Sequence, residues 1–323
     1  MLAISGHPAL DKALDLSFRR PPLSDQSGMP MLLGMGDPIA GPLLGLFYDA
    51  PSTPEQLAGP PDLAPAHSHS CDNFRICMKG ELWVGRERYH HGGFRLQQSG
   101  RPYGSDGDAP HPEGNWRIIF FADRRGYAVR PTNPELRKQY AAATVAATRE
   151  RLGDVVPELL DDDDPGVVGM VTNLTTPLSR VGHIDATFAD TAGWDDLGSG
   201  SKAAAALMGL HDLGPLVLLL STPGGRVATP ACSFDTDSFR LVIRGSCTWA
   251  GEDRVMGDMR IQPAGVPWEE IVAGPEGLDQ VIILGDRRGA AALVEGGGPA
   301  QVWADQLGEL VGRMQVRLPA AAA

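Results

Sequence analysis

Apolar positions along the chain come in short runs rather than long helical stripes. Leu43 to Tyr48, Phe74 to Met78, Glu81 to Val84 and Trp116 to Phe121 form one group of runs. Val217 to Leu220, Phe239 to Ile243 and Gln280 to Leu284 form a second. Gly and Pro punctuate both groups, and short runs bounded by turn formers predict the strands of an antiparallel sandwich or barrel. Helical pattern appears mainly in two places. Pro134 to Leu152 is rich in Ala, Arg and Glu, with a proline suited to a first turn, and Ala300 to Val316 reads as a closing helix. The acidic run Asp161 to Asp164, followed by Pro165-Gly166, reads as a solvated connector.

The two groups of runs belong to a repeat. Phe74-Arg75 recurs as Phe239-Arg240, Gly80 as Gly245, Arg95 as Arg260, Gln97 as Gln262, Gly100 as Gly265 and Pro102 as Pro267, all at an offset of 165. Pro112-Glu113-Gly114 recurs as Pro275-Glu276-Gly277, and Asp123-Arg124-Arg125-Gly126 as Asp286-Arg287-Arg288-Gly289, at an offset of 163. Gly41-Pro42-Leu43 recurs as Gly214-Pro215-Leu216, at an offset of 173. The chain therefore reads as two copies of one domain. The predicted division is an N-terminal arm (1–30), a first domain (31–133), a helical linker (134–182), a second domain (183–298) and a C-terminal helix and tail (299–323).

Composition narrows the function classes. With 28 basic and 40 acidic residues the net charge of −12 argues against nucleic acid as a partner. Pro215 to Leu220, the longest strongly apolar stretch, is far shorter than the roughly 20 residues a membrane span requires. The first residues show no secretory pattern. Cys71, Cys77, Cys232 and Cys247 form no C-x-x-C pair, which favours unbridged thiols, a reducing compartment and a cytoplasmic location.

Candidate chemistry gathers in the first copy. His67 and His69 are two residues apart, so on a strand both imidazoles project from one face and can converge on one cation. His111 opens the run Trp116 to Phe121 and is the expected third imidazole. Three neutral imidazoles leave positions open for water, dioxygen or substrate, as a catalytic metal site requires.

The segment from His67 through Asn73 to Gly80 resembles the first motif of the cupin superfamily, G-x5-H-x-H-x3,4-E-x6-G. Pro102-Tyr103-Gly104, His111 and Asn115 resemble its second, G-x5-P-x-G-x2-H-x3-N. With two copies, the chain is similar to a bicupin. The resemblance implies an all-β fold of two tandem double-stranded β-helix (jelly-roll) barrels with a few peripheral helices, and a homodimer. Two departures stand out. Asn73, beside Asp72, occupies the glutamate position, and the spacer from Gly104 to His111 is long, with Ser105-Asp106-Gly107-Asp108 inside it. In the second copy His67 becomes Cys232, His69 becomes Phe234, Asn73 becomes Ser238 and His111 becomes Gly274, so the expected metal centre belongs to the first copy alone.

The expected ligands are thus His67, His69 and His111, with Asn73 as an optional contact. One divalent ion per chain is expected, Fe(II) first, with Zn(II), Ni(II) or Mn(II) as alternatives. Arg75 and Arg117 are candidate partners for a carboxylate of a small-molecule substrate, and Tyr103 is a candidate proton-transfer group. Cys77 reads as an inert buried thiol, His90-His91 as an exposed turn and the Asp-Arg-Arg-Gly segments as structural turns. The layout is similar to that of gentisate-type ring-cleaving dioxygenases, so the leading expectation is a non-haem Fe(II) dioxygenase. A Lewis-acid isomerase, decarboxylase or lyase, or a small-molecule-binding protein without catalysis, are the alternatives.

Overall fold

A computed structural model describes residues 31–139 and 170–316 apart from short gaps, together with 3–5, 16–18, 142–143 and 146. The first half contains β1 (Ala3–Ser5), β2 (Leu16–Phe18), β3 (Met31–Gly34), β4 (Leu43–Asp49), β5 (His67–Ser68), β6 (Asn73–Lys79), β7 (Leu82–Val84), β8 (Glu87–Tyr89), β9 (Gly93–Gln97), β10 (Asp106–Asp108), β11 (Asn115–Phe121) and β12 (Arg130–Pro131). The second contains β13 (Val171–Thr172), β14 (His183–Thr187), β15 (Asp195–Asp196), β16 (Lys202–Leu207), β17 (Leu216–Thr222), β18 (Val227–Thr229), β19 (Ser238–Trp249), β20 (Glu252–Val255), β21 (Met259–Gln262) and β22 (Ile271–Leu284).

The fold is all-β, and the two halves repeat one antiparallel topology. In the first the sheet runs β3-β4-β11-β6-β9, and in the second β16-β17-β22-β19-β21. Strands β7, β8 and β10 form a smaller sheet that closes the first barrel. In the second barrel β7 and β10 correspond to extensions of β19 and β22, and β8 corresponds to β20, which pairs with β19. Each main sheet also borrows an edge from the other half. Strand β14 pairs with β9, and β2 pairs with β21. The exchange covers an edge that would otherwise expose unpaired backbone groups.

Alternation along the strands fixes which side chains meet. Phe74, Ile76 and Met78 of β6 and Phe239, Leu241 and Ile243 of β19 turn the same way and meet in one apolar layer between the barrels. The intervening positions, Asn73, Arg75 and Cys77 on β6 and Ser238, Arg240 and Val242 on β19, face the barrel interiors. The second interior is closed by the helix Pro299–Gln315, which contributes Trp303, Leu307 and Leu310.

The repeated Asp-Arg-Arg-Gly segments are structural in both copies. Arg124 donates from Nε to the Gly41 carbonyl (3.1 Å) and from Nη2 to that of Met35 (2.9 Å). Arg287 does the same with Gly214 and Met208. The second arginine of each pair, Arg125 or Arg288, forks onto the aspartate that caps the turn.

The closing helix matches its prediction to within a residue at each end. Of the helix expected over Pro134 to Leu152, residues 134–139 are helical and the rest lies mainly outside the described residues, as does the acidic run 161–164. His90 and His91 are exposed as expected, and His91 Nε2 also meets the Ile243 carbonyl at 2.7 Å. The four cysteines are buried and unbridged. No helix among the described residues is long and apolar enough to cross a membrane.

Candidate active site

His67 lies on β5, which pairs with β12 on one side, while Tyr103 bridges to His67 on the other. This ladder holds His67 and His69 on one face, and both turn into the first barrel, 2% and 4% exposed. Their rings stand at 89° with centroids 5.1 Å apart. Each Nδ1 is tied to a backbone carbonyl, His67 to Pro65 at 2.7 Å and His69 to Tyr127 at 2.8 Å. A carbonyl only accepts, so Nδ1 carries the proton in each ring and Nε2 the lone pair. Burial keeps His67 below the usual imidazole range, against the opposing pull of Asp106, and so keeps it neutral.

The group that meets His67 Nε2 is Tyr103, whose hydroxyl lies 2.7 Å away. Tyr103 in turn accepts a hydrogen bond from Arg75 Nη2, and the Arg75 guanidinium stacks 4.3 Å from its ring centroid. Arg75 is 1% exposed and points into the barrel as strand parity predicts. Its Nη1 donates to Asp106 at 2.6 Å and its Nε to Asn73 Oδ1 at 3.2 Å. Every nitrogen of this guanidinium is therefore engaged within the protein. Arg117 is likewise paired, with Asp108 and more distantly with Asp49, and covers Phe47.

Two expected ligands are corrected by this geometry. His111 is not brought to His67 and His69. His69 packs on Phe121 at 5.0 Å, at the end of β11, whereas His111 precedes its start, about 20 Å away for six extended residues. There it closes a turn, its carbonyl accepting from Ser52 and Gly114 and its Nδ1 from Glu113. Asn73 does reach the site, but its oxygen accepts from Arg75 and its buried Nδ2 has no partner among the described residues, leaving it a donor rather than a ligand. No group of three His, Cys, Asp or Glu among the described residues converges on a metal position. Among the described residues two imidazoles and a phenol come together, with the Asp106 carboxylate 3.6 Å from His67 Nε2.

The sequence makes Tyr103 a candidate proton-transfer group without setting it against His67. The signal was in the repeat. Tyr103 bridges His67 as Trp268 bridges Cys232, at the same offset of 165. The aspartates of the long spacer were also missed as interior groups. Strand β10 pairs with β7, and Ala64 bridges Asp106 as Thr229 pairs with Ile271. Asp106 and Asp108 thus hold the inward positions that Ile271 and Ala273 fill in the second barrel, and they supply the carboxylates for Arg75 and Arg117. Cys77 also faces inward, and burial pushes its thiol up to about 11, in keeping with an inert role.

No protein-family model matches the chain, and no curated protein matches it. Solved structures resemble it at low identity. A dioxygenase candidate from Nostoc punctiforme is 12% identical over 88% of this chain and 84% of that one, with a TM-score of 0.47. A salicylate 1,2-dioxygenase from Pseudoaminobacter salicylatoxidans is 17% identical over 84% and 73%, with a TM-score of 0.43. An oxalate decarboxylase variant from Bacillus subtilis is 13% identical over 85% and 77%, also at 0.43. The functional reading rests on the side chains of the first barrel.

Proposed function

We propose that the first barrel is the reaction chamber of a metal-dependent enzyme, a non-haem Fe(II) dioxygenase acting on a small hydroxyl-bearing substrate. The observation that carries this reading is the paired anchoring of His67 and His69. Metal-binding imidazoles characteristically donate their second nitrogen to a carbonyl or carboxylate, which fixes the tautomer and aims the lone pair. Both rings here are held that way, at right angles, beside a hydroxyl. A divalent ion would be held by His67, His69 and Tyr103, and when bound it supplies the one-electron chemistry that dioxygen requires.

The chain's own groups do the rest. In the metal-free site Tyr103 donates its hydroxyl proton to His67 Nε2, and it is the group that would release that proton for both side chains to hold an ion. Arg75 positions Tyr103 through a hydrogen bond and its stacked guanidinium. Phe47, Ile119 and Phe121 supply an apolar wall that limits water. Because Asp106 and Asp108 already neutralise Arg75 and Arg117, the chamber offers a substrate carboxylate no uncompensated cation. That balance favours a neutral hydroxyl compound, such as a catechol, over the carboxylate expected from the arginines.

A non-redox reading is favoured by one observation, the unbroken chain from Arg75 through Tyr103 to His67, which is an acid–base device in its own right. Metal analysis of the purified protein and of His67→Ala, followed by oxygen-uptake assays of the Fe(II)-loaded protein with catechols, hydroxybenzoates and thiols, tests both. About one ion per chain, lost in the variant, with oxygen uptake supports the dioxygenase. Turnover without oxygen consumption supports the acid–base reading, and unchanged metal content in His67→Ala overturns the site.

A further inference from the structure

The second barrel, which has lost both imidazoles, retains a buried arginine whose countercharge is gone. Arg240 corresponds to Arg75 and is 0% exposed. In the first barrel Asp106 neutralises the guanidinium, and in the second that position is Ile271. Arg240 keeps one hydrogen bond, from Nη1 to Thr229 Oγ1 at 2.8 Å, and stacks 4.1 Å from the Trp268 ring centroid. Its Nε and Nη2 have no hydrogen-bond partner among the described residues. The ionisable groups that act on it are the thiols of Cys232 and Cys247 and the like-charged Arg260, and none is a carboxylate. Burial pushes Arg240 down to about 10, still charged at neutral pH.

A buried, uncompensated guanidinium is costly, and proteins keep such a group where something pairs with it. The two unpartnered nitrogens identify the partner by geometry. Nε and Nη2 form one edge of the guanidinium, the edge that takes both oxygens of a carboxylate through parallel hydrogen bonds. This protein uses that edge itself, where Arg95 holds Asp185 from Nε at 2.7 Å and from Nη2 at 3.1 Å. Beside Arg240, on the adjoining strand and facing the same interior, Gln280 is 0% exposed and, among the described residues, unpartnered at both ends of its amide. In the first barrel Gln280 is replaced by Arg117, which has its own aspartate.

The geometry points to a carboxylate-binding site inside the second barrel, in which the Nε–Nη2 edge of Arg240 holds one small carboxylate and Gln280 completes its hydrogen bonding. The barrel that has lost its metal-ligating side chains is thereby a ligand site, independent of the reaction chamber in the first. The ligand takes the place of the aspartate that the first copy has and the second lacks.

The test uses formate, the smallest carboxylate, titrated into the full-length protein and followed by thermal unfolding and calorimetry, with a crystal structure of the formate-soaked protein. Saturable stabilisation is expected, with formate density on Arg240. Ile271→Asp, which installs an internal carboxylate as in the first barrel, and Arg240→Met, which removes the charge, are each expected to weaken formate binding by at least about tenfold. Both variants are also expected to match or exceed the wild type in formate-free stability, whereas His67→Ala leaves formate binding unchanged. An equal formate response in wild type and Ile271→Asp, or formate density confined to the surface, overturns the proposal.

Discussion

The carboxylate of Asp72 accepts the backbone N–H of Gly209 at 2.8 Å, across 137 residues of chain and from one barrel to the other. Its other oxygen accepts Ser99 N–H at 2.9 Å. Asp237 mirrors it, accepting Gly36 N–H from the opposite barrel at 3.1 Å and Ala264 N–H at 3.1 Å. Two carboxylates, each 165 residues from the other in sequence, thus lock the pair of barrels reciprocally.

Asp72 is expected to give stability a distinctive pH dependence. Burial raises its pKa from 3.8 to about 6, outweighing the two backbone donors and Arg287. A carboxyl raised in the folded state binds more protons folded than unfolded, so its contribution is fully present below about pH 4 and is lost as pH rises through about 6. The lost amount is roughly 3 kcal/mol, from about 2 units at 1.36 kcal/mol each. Urea denaturation from pH 4 to 7 checks this, since the difference curve between wild type and Asp72→Asn carries that slope.

Removing the countercharge of Arg75 should be more damaging than removing the pair. Asp106→Ala leaves a buried guanidinium uncompensated and is expected to cost about 3–5 kcal/mol, whereas Arg75→Met combined with Asp106→Leu recovers most of that loss. Chemical denaturation of the two variants measures the contrast.

Metal content separates the two candidates for the third position. Tyr103→Phe is expected to weaken divalent-ion binding by roughly tenfold or more while the protein stays folded, and His111→Ala to leave ion content unchanged. Titration of the apo-protein with Fe(II) or Zn(II) under anaerobic conditions distinguishes them.

The paired arginine staples should not tolerate lysine. Arg124→Lys replaces a planar fork on two carbonyls by a single point donor, and a loss of about 2 kcal/mol is expected, with the same for Arg287→Lys. Thermal unfolding of the two variants tests whether the duplicated staples carry equal weight.

Much of this was legible in the residues themselves. Glycines, prolines and arginines recur at fixed offsets because turns and staples demand specific residue types, and they revealed both barrels and the inward aim of Arg75. His111 misled because a search for imidazoles weighs residue identity, whereas the position opposite His67 is set by the bridge that places Tyr103 there. Asp106 and Asp108 stand out in the sequence only as part of a long spacer, because a strand facing a polar interior has no apolar alternation to betray it. The exchange of β2 and β14 left no local trace, since pairing partners so distant in sequence are chosen by edges that exist only once the sheets have formed.

That exchange also bears on how the duplicated chain could evolve. Interior side chains of the C-terminal copy could change one residue at a time, but β14 could not be discarded, because β9 would then lose a neighbouring strand. The C-terminal copy thus serves as a splint for its sibling's sheet, whatever its own interior comes to hold.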